Sequence, residues 1–315
     1  MSTHPPTTKT AVVTGAGRGI GLAVSRALVA ADFHVVAAAR HNTPELAALE
    51  SAGSATFVEA DVSTPEGPLA LIAEAAQGGG IDVLVNNAGT AHPRFDGILS
   101  VTDEQWAESL AVNFLSAVRT TRATLPHMLP RGGGSIVMIG SVNATLPEWN
   151  IVDYSATKAA LANFAKSLSK EFGPKGIRVN TISPGPVSTD LWLADGGIAE
   201  QFAAATGATS DEIIDSVGAG APTGRFTTPA EVADLVAFLT SDRATNITGA
   251  DFRIDGGYVT TIGRPTSARA RAEAPQTPAC RGHQCLLAGE RGRTGTNYQR
   301  WEVWFTSRTE LPPSG

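Results

Sequence analysis

The sequence predicts an α/β fold, a doubly wound parallel sheet of about seven strands with helices on both faces. Short apolar runs alternate with segments of helical spacing over residues 9–262, and a glycine-rich turn joins the first run to the first helix. Strands that alternate with helices pair in parallel and are covered on both faces. Of the 315 residues, 42% are hydrophobic, which suffices for one large core. We therefore expect a single domain over residues 9–262.

The elements can be assigned in chain order. Residues 22–29 have the apolar spacing and alanine content of a helix. Thr228, Pro229 and Glu231 have the pattern of a capping box with proline at the first helical position, which predicts a helix running to Leu239. Seven strand-like segments alternate with the helical ones and predict strands near residues 10–14, 33–39, 56–60, 81–85, 135–141, 177–182 and 251–254.

The glycine-rich turn follows the first predicted strand and reads Thr14-Gly-Ala-Gly-Arg-Gly-Ile-Gly21. Its pattern is Thr-Gly-x-x-x-Gly-x-Gly, because Ile20 stands where the more common Gly-x-Gly-x-x-Gly has its last glycine. Backbone N–H groups at the start of the following helix are suited to hold a pyrophosphate. The turn therefore predicts a nucleotide-binding site.

Ser141, Tyr154 and Lys158, which lie later in the chain, indicate a site of proton transfer. Tyr154 and Lys158 are four residues apart, so on a helix they lie on one face. A phenol has a pKa of about 10, and a nearby positive charge favours its ionised form. Ser141 follows the apolar run 135–139 and is expected at the carboxyl end of a strand, where α/β sheets bind ligands. A tyrosine and lysine at this spacing are more often structural, but the glycine turn favours the catalytic interpretation.

Taken together, these motifs resemble the short-chain dehydrogenase/reductase family, which implies a Rossmann-type catalytic domain and hydride transfer. The matching residues follow one another in the family's order and spacing. They are Thr14, Gly15, Gly19 and Gly21; Asp61 and Val62; Asn86, Asn87, Ala88 and Gly89; Asn113; Ser141, Tyr154 and Lys158; and Pro184, Gly185 and Thr189.

The resemblance implies a catalytic tetrad and a role for each member. Tyr154 would be the general acid in reduction and the base in oxidation, and Ser141 would polarise the carbonyl. Lys158 would lower the pKa of Tyr154 and bind ribose hydroxyls, and Asn113 would hold a water that relays protons. The cofactor performs the hydride chemistry. The residues expected to contact it are Thr14, Gly15, Arg18, Gly19, Ile20, Gly21, Arg40, Asp61, Val62, Asn87, Ala88, Gly89, Tyr154, Lys158, Pro184, Gly185, Val187 and Thr189.

The choice of cofactor depends on the end of the second strand. NAD-dependent relatives carry an acidic residue there for the adenosine ribose, but this chain has Ala39 followed by Arg40. A guanidinium suits a phosphate, and Arg18 supplies a second cation. We expect NADP(H) to be preferred, with NAD(H) as the alternative if Arg40 only faces solvent.

The substrate is indicated by a segment near residues 191–222, where the family has its variable lid. Leu191 and Trp192 on this segment, with Leu146 and Trp149 opposite, are expected to line an apolar site. They predict a small apolar carbonyl or secondary alcohol, although such residues also commonly pack against the domain itself. A 3-oxoacyl-carrier-protein reductase and an NAD-dependent alcohol dehydrogenase are alternative subclasses. A noncatalytic dinucleotide-binding regulator is an alternative class, against which all four tetrad residues are present.

The chain continues beyond the predicted domain. Residues 263–315 contain eight arginines and four glutamates, so they carry a net charge of +4 and leave −10 on the remainder. Their composition and lack of apolar periodicity predict a disordered extension, as the polar residues 1–8 predict a disordered N-terminus. Cys280, His283 and Cys285 are too few for a zinc site, and we predict no metal.

Charge and hydropathy also bear on partners. The arginines of the extension are too sparse, in an acidic protein, to predict nucleic-acid binding. No apolar run is long enough to cross a membrane, and no signal segment follows Met1. We expect a cytoplasmic enzyme with a small-molecule substrate. By resemblance to the family, it would form a tetramer or dimer through helices near 103–129 and 153–172.

Overall fold

The computed structural model describes residues 9–260, which form one parallel sheet flanked by helices. The predicted disordered segments 1–8 and 263–315 lie outside the described residues. The strands are β1 (Lys9–Thr14), β2 (Phe33–Ala39), β3 (Ala55–Glu59), β4 (Val83–Asn86), β5 (Gly134–Ile139), β6 (Ile177–Pro184) and β7 (Asp251–Ile254). Their order across the sheet is β3-β2-β1-β4-β5-β6-β7, and every pair is parallel. The predicted fold class is confirmed.

Ten α-helices connect the strands within residues 9–260. They are α1 (Gly19–Ala30), α2 (Pro44–Ser51), α3 (Glu66–Ala76), α4 (Asp103–Leu110), α5 (Ser116–Met128), α6 (Val152–Phe172), α7 (Asp190–Leu193), α8 (Ile198–Thr206), α9 (Ser210–Ala219) and α10 (Pro229–Thr240). The helix predicted near 103–129 is divided, because residues Ala111–Leu115 form a π-helical turn between α4 and α5. The helix predicted near 153–172 is α6.

The predicted strand ends agree with the observed ones to within two residues, and two of the differences concern residues near the ends of β4 and β5. The run predicted to start at Ile81 enters the sheet only at Val83, although the Asp82 amide donates to the Thr10 carbonyl at 2.9 Å and the Asp82 carbonyl accepts from the Ser135 amide at 2.9 Å. The run predicted to reach Ser141 leaves the sheet after Ile139. Ser141 therefore lies beyond the strand, where it caps a short 3₁₀ helix at Val142–Ala144.

The core lies on both faces of the sheet because side chains of a strand alternate between faces. Ala11 and Val13 belong to the cluster with α1 and α10, whereas Val12 belongs to the cluster with α3, α5 and α6. The order of strands reverses between β1 and β4, which pair with each other. In such sheets, ligands bind in the crevice beyond the carboxyl ends of the strands at this reversal.

The capping box predicted for α10 is present. The Thr228 hydroxyl accepts from the Glu231 amide at 3.3 Å, and the Thr228 amide donates to the Glu231 carboxylate at 2.8 Å. This cap, with Pro229 at the first turn, fixes where the helix begins. No helix within residues 9–260 is both long and apolar enough to span a membrane.

Candidate active site

The glycine turn is held against the Asn86–Gly89 segment by hydrogen bonds from both sides. The Thr14 hydroxyl accepts from the backbone amides of Asn87 at 3.0 Å and Ala88 at 3.1 Å. The Asn87 side-chain amide donates to the carbonyls of Thr14 at 2.9 Å and Gly15 at 3.0 Å. Thr14 and Asn87 therefore use their side chains to build the crevice at the β1–β4 reversal.

Two positions of the turn favour glycine, Gly21 because of a close contact and Gly19 chiefly because of its positive φ. A Cβ on Gly21 would lie 2.1 Å from the Gly15 carbonyl oxygen, well inside van der Waals contact. Gly19 has a φ of +54°, and a Cβ there would lie 3.2 Å from the Thr189 methyl group. Gly19 and Thr189 thus approach each other from the turn and from the segment after β6. The helix start at Gly19 faces the crevice with a bare backbone, as binding of a phosphate requires.

The end of β2 packs beside the same turn. A Cβ on Gly17 would lie 3.3 Å from the Ala39 methyl group, so that Arg40 follows directly at this edge. Both Arg40 and Arg18 are exposed. The pKa of Asp61 is lowered chiefly by hydrogen bonds from Ser63, and the positive charge of Arg40 adds to this effect. The edge therefore carries an exposed cation where an acidic residue would favour an unphosphorylated ribose.

Ser141 and Tyr154 are brought together. The Ser141 hydroxyl acts on the Tyr154 phenol and lowers its pKa, although burial has the larger, opposite effect. The Ser141 hydroxyl also donates to the Asn143 side-chain oxygen at 3.0 Å and accepts from the Asn143 amide at 3.1 Å. Asn143 in turn donates to the Leu146 carbonyl at 3.1 Å. Asn143 thereby fixes the orientation of the Ser141 hydroxyl.

Lys158 is buried one turn along α6 from Tyr154. Its ammonium lies 5.6 Å from the centre of the Tyr154 ring and donates to the Ile139 carbonyl at 2.8 Å. Burial lowers the pKa of Lys158 to about 8. Burial also raises the pKa of Tyr154, and the hydrogen bond with Ser141 acts in the opposite direction. The net direction is upward because desolvation of the phenol outweighs the effect of Ser141, and the lowering of the Tyr154 pKa by Lys158 stays a prediction.

Asn113 lies in the π-helical turn and is 1% exposed. Its side-chain oxygen accepts from the Thr90 amide at 2.9 Å, and its side-chain nitrogen donates to the Ser109 hydroxyl at 3.3 Å. A Cβ on Gly89 would lie 3.0 Å from the Asn113 side-chain oxygen and 3.4 Å from the Lys158 ammonium. Gly89 therefore lets the side chains of Asn113 and Lys158 approach the backbone of the Asn86–Gly89 segment.

The other predicted cofactor residues shape the backbone of the crevice. Val62 and Val187 are buried, at 8% and 5% exposure, and Ile20 packs against the core. Pro184 ends β6, and a Cβ on Gly185 would lie 2.9 Å from the Asp255 side chain. Their side chains are thus engaged with the protein.

The four predicted substrate-lining residues have different environments. Trp192 makes an edge-to-face contact with Phe226, with ring centres 5.4 Å apart. Leu191 and Leu146 are half-buried, and Trp149 is 65% exposed. Trp192 therefore packs against the domain, whereas Trp149 offers an apolar surface to solvent.

Several site residues were not predicted from the sequence: Thr90, Arg94, Ser109, Asn143 and Asp153. The Ser141-x-Asn143 spacing is the one detectable signal, since serine commonly caps a turn two residues on. Arg94 and Asp153 form an ion pair across 59 positions of sequence, and no local pattern marks such a pair.

The similarity of the chain to known proteins extends over nearly all of the described residues. A family model described as enoyl-(acyl carrier protein) reductase matches residues 15–259. The 3-oxoacyl-[acyl-carrier-protein] reductase of Escherichia coli strain K12 is 33% identical over 251 residues, covering 79% of this chain and 96% of the relative. Dehydrogenase/reductase SDR family member 4 of Sus scrofa is 34% identical over 262 residues, covering 80% of this chain and 88% of the relative.

Among solved structures, the chain is similar to the L-sorbose reductase of Gluconobacter frateurii in complex with NADPH and L-sorbose. The two are 36% identical with a TM-score of 0.74, over 81% of this chain and 98% of the reductase.

Proposed function

The chain belongs to the short-chain dehydrogenase/reductase family of oxidoreductases, and from that premise we propose that it transfers hydride between NADP(H) and a carbonyl or secondary alcohol. Tyr154 is the proton donor for reduction and the acceptor for oxidation. The observation that carries the proposal is the convergence of Asn113, Ser141, Tyr154 and Lys158 beside the glycine turn. This convergence disfavours the noncatalytic alternative.

Each tetrad residue has a role that its contacts support. Ser141 donates its hydroxyl proton to Asn143, and to polarise the substrate oxygen it would rotate and donate that proton to the substrate beside Tyr154. Lys158, with a pKa of about 8, remains mostly charged at neutral pH and favours the phenolate as the proton leaves Tyr154. Asn113 holds the Thr90 amide, and through it the segment that follows Gly89.

The cofactor site fits a dinucleotide. The glycine turn exposes the backbone at the start of α1 to the pyrophosphate, and Thr189 stands opposite Gly19. When bound, the nicotinamide supplies or accepts the hydride. Arg40 and Arg18 are exposed cations suited to the 2′-phosphate of NADP. The NADPH complex of the similar L-sorbose reductase supports the same choice.

For the substrate we propose a small molecule with an apolar portion near Trp149 and the lid helices α7–α9. The exposure of Trp149 supports an apolar contact surface. The 33% identity to the Escherichia coli reductase favours a second candidate, a 3-oxoacyl thioester. We further propose a cytoplasmic homo-oligomer that uses α4, α5 and α6 between subunits, as the family resemblance implies.

The test is turnover by the full chain and by Tyr154→Phe. NADPH oxidation is followed by absorbance with three ketone probes: L-sorbose, ethyl acetoacetate and acetoacetyl-coenzyme A. The wild type should reduce at least one probe, with a higher kcat/KM for NADPH than for NADH. Tyr154→Phe should lose at least about 100-fold in kcat, since general acid catalysis contributes factors of this size.

Binding provides the control for this experiment. NADPH fluorescence titration should give Tyr154→Phe a dissociation constant close to that of the wild type, because only the phenol oxygen is removed. Full turnover in Tyr154→Phe would contradict the role of Tyr154. Equal or better use of NADH would contradict the cofactor preference.

A further inference from the structure

A buried ion pair stands directly beside the proposed proton donor. The Arg94 guanidinium lies 3.1 Å from the Asp153 carboxylate, and Asp153 immediately precedes Tyr154 in the first turn of α6. The two side chains are 13% and 3% exposed. The other ion pairs measured within residues 9–260 have at least one side chain that is 39% or more exposed. The pair at Asp153 is therefore distinguished by its burial as well as by its position.

Arg94 belongs to a segment, residues 90–95, that connects three parts of the site. At its start, the Thr90 amide donates to the side chain of Asn113. Near its end, the Arg94 amide donates to the Asn150 carbonyl at 2.6 Å, just before α6 begins. Phe95 then makes an edge-to-face contact with Phe202 of the lid helix α8, with ring centres 5.0 Å apart. The Arg94–Asp153 pair thus ties this segment to the helix that carries Tyr154.

Stability alone is a weak explanation for the pair. Burying two charges has a desolvation cost that often equals or exceeds their attraction. The Arg94 Nε and one Asp153 carboxylate oxygen are also buried with no hydrogen-bond partner among the described residues. A half-satisfied buried pair is a poor stabilising device. It does, however, fix geometry, since either charge left alone would be strongly unfavourable there.

Asp153 and Tyr154 also share a cavity of about 10 Å³ with Arg94. The ionisable groups around it are His92 and Arg94 from the 90–95 segment, Glu108 from α4, and Asp153 itself. Lys158 lies one turn farther along α6, with its ammonium 5.6 Å from the centre of the Tyr154 ring. In such low-dielectric surroundings, an unbalanced charge on either member of the pair would act on the phenol.

We propose that Arg94 and Asp153 are a positioning pair for Tyr154: they fix the first turn of α6 against the 90–95 segment while presenting no net charge to the phenol. The proposal rests on the proposed role of Tyr154 in proton transfer. Neither residue touches the reacting atoms; both act through the position and ionisation of Tyr154.

The test compares variants that unbalance the pair in opposite directions. Arg94→Met leaves an unpaired carboxylate beside Tyr154, which raises the pKa of the phenol. Asp153→Asn leaves an unpaired guanidinium, which lowers it. In oxidation Tyr154 must be deprotonated, so kcat/KM rises with pH around the pKa of Tyr154. We call this rise the limb of the pH profile. With NADP⁺ and the alcohol of the best ketone probe, the limb should move up in Arg94→Met and down in Asp153→Asn, each by about 0.5 to 1 pH unit.

In the same variants, kcat should fall while the KM for NADP⁺ stays nearly unchanged. Each single variant should lose about 10-fold or more in kcat at its own pH optimum, because the proton donor is displaced. The KM for NADP⁺ should stay within about 2-fold, since the glycine turn is untouched. The double variant should return the limb to the wild-type pH, because no unpaired charge remains. Arg94→Lys keeps the charge and should leave the limb in place.

Controls separate positioning from a general loss of structure. Arg131→Met removes an arginine from the Asp82 pair at the amino ends of the strands and should leave the pH profile unchanged. If Arg94→Met does not fold, Asp153→Asn and Arg94→Lys still decide the matter. Limbs that stay in place, or that move the same way in both single variants, would overturn the proposal. Turnover retained in Tyr154→Phe would instead overturn the proposed function.

Discussion

The glycine turn and the proposed substrate lid both contain several glycines, but most of these glycines serve different purposes in the two regions. In the turn, a Cβ on Gly15 or Gly21 would meet backbone or side-chain atoms of the neighbouring segment at 3.0 Å or less. In the lid and just after it, Gly196, Gly207 and Gly224 have positive φ, and a Cβ on any of them would have no atom within 4 Å. These three glycines serve to turn the chain, whereas Gly197 of the lid resembles the glycines of the turn, since its Cβ would lie 2.6 Å from the Ala194 carbonyl oxygen.

The two regions also differ in the kind of contact that determines their structure. The turn is specified by backbone contacts that allow one residue type, and hydrogen bonds of Thr14 and Asn87 close it. The lid is specified by side-chain packing, such as Trp192 on Phe226 and Phe95 on Phe202. Packing contacts tolerate changes of shape, whereas backbone overlap does not. We therefore expect substitutions in the turn to be severe and those in the lid to be graded.

The largest effect should come from Gly21→Ala. Its new methyl group would overlap the Gly15 carbonyl oxygen at 2.1 Å and the Asn87 side chain at 2.5 Å, so the turn must move. A displacement of this kind should weaken NADPH binding by about 100-fold or more, measured by fluorescence titration. Thermal unfolding, recorded in parallel, should show a lower Tm.

Gly196→Ala is the matched variant in the lid. Gly196 has a φ of +72°, so alanine is strained there by about 1 to 2 kcal/mol but meets no atom. NADPH affinity should stay within about 2-fold of the wild type. Similar losses of affinity in the two variants would break the comparison between turn and lid.

Arg40→Asp, at the proposed cofactor site, should have a smaller effect than Gly21→Ala. An acidic side chain would repel the 2′-phosphate of NADPH and accept hydrogen bonds from the ribose hydroxyls of NADH. The ratio of kcat/KM for NADPH to that for NADH should fall by about 10- to 100-fold, the value of one lost charge-assisted hydrogen bond. Arg26→Asp makes the same charge change at an exposed position of α1 and should leave the ratio unaltered. An unchanged ratio in Arg40→Asp would remove Arg40 from the cofactor site.

Local features of the molecule could be predicted from the sequence, whereas features that depend on contacts between distant segments could not. The turn could be predicted because its requirement for glycine is local and leaves a pattern from Thr14 to Gly21. Most of the strands could be predicted for a similar reason, since buried parallel strands are largely apolar runs, whereas β7 alternates apolar and charged residues and is not buried. The π-helical turn at Asn113 and the Arg94–Asp153 pair depend on contacts between distant segments, which leave no local pattern. The pKa of Tyr154 depends on burial, and helical spacing to Lys158 does not reveal how buried the phenol is.

The smallest effect should come from loosening the lid itself. Phe202→Leu removes the edge-to-face contact between α8 and Phe95, worth about 0.5 to 1.5 kcal/mol. The KM of the best ketone probe should rise about 2- to 10-fold, with kcat and the KM for NADPH nearly unchanged. Phe238→Leu makes the same substitution on α10, where Phe238 packs against the core; it should lower Tm without changing either KM. A contact that serves only the substrate leaves cofactor binding intact. If Phe202→Leu instead raised the KM for NADPH, the lid would therefore contribute to the cofactor site as well.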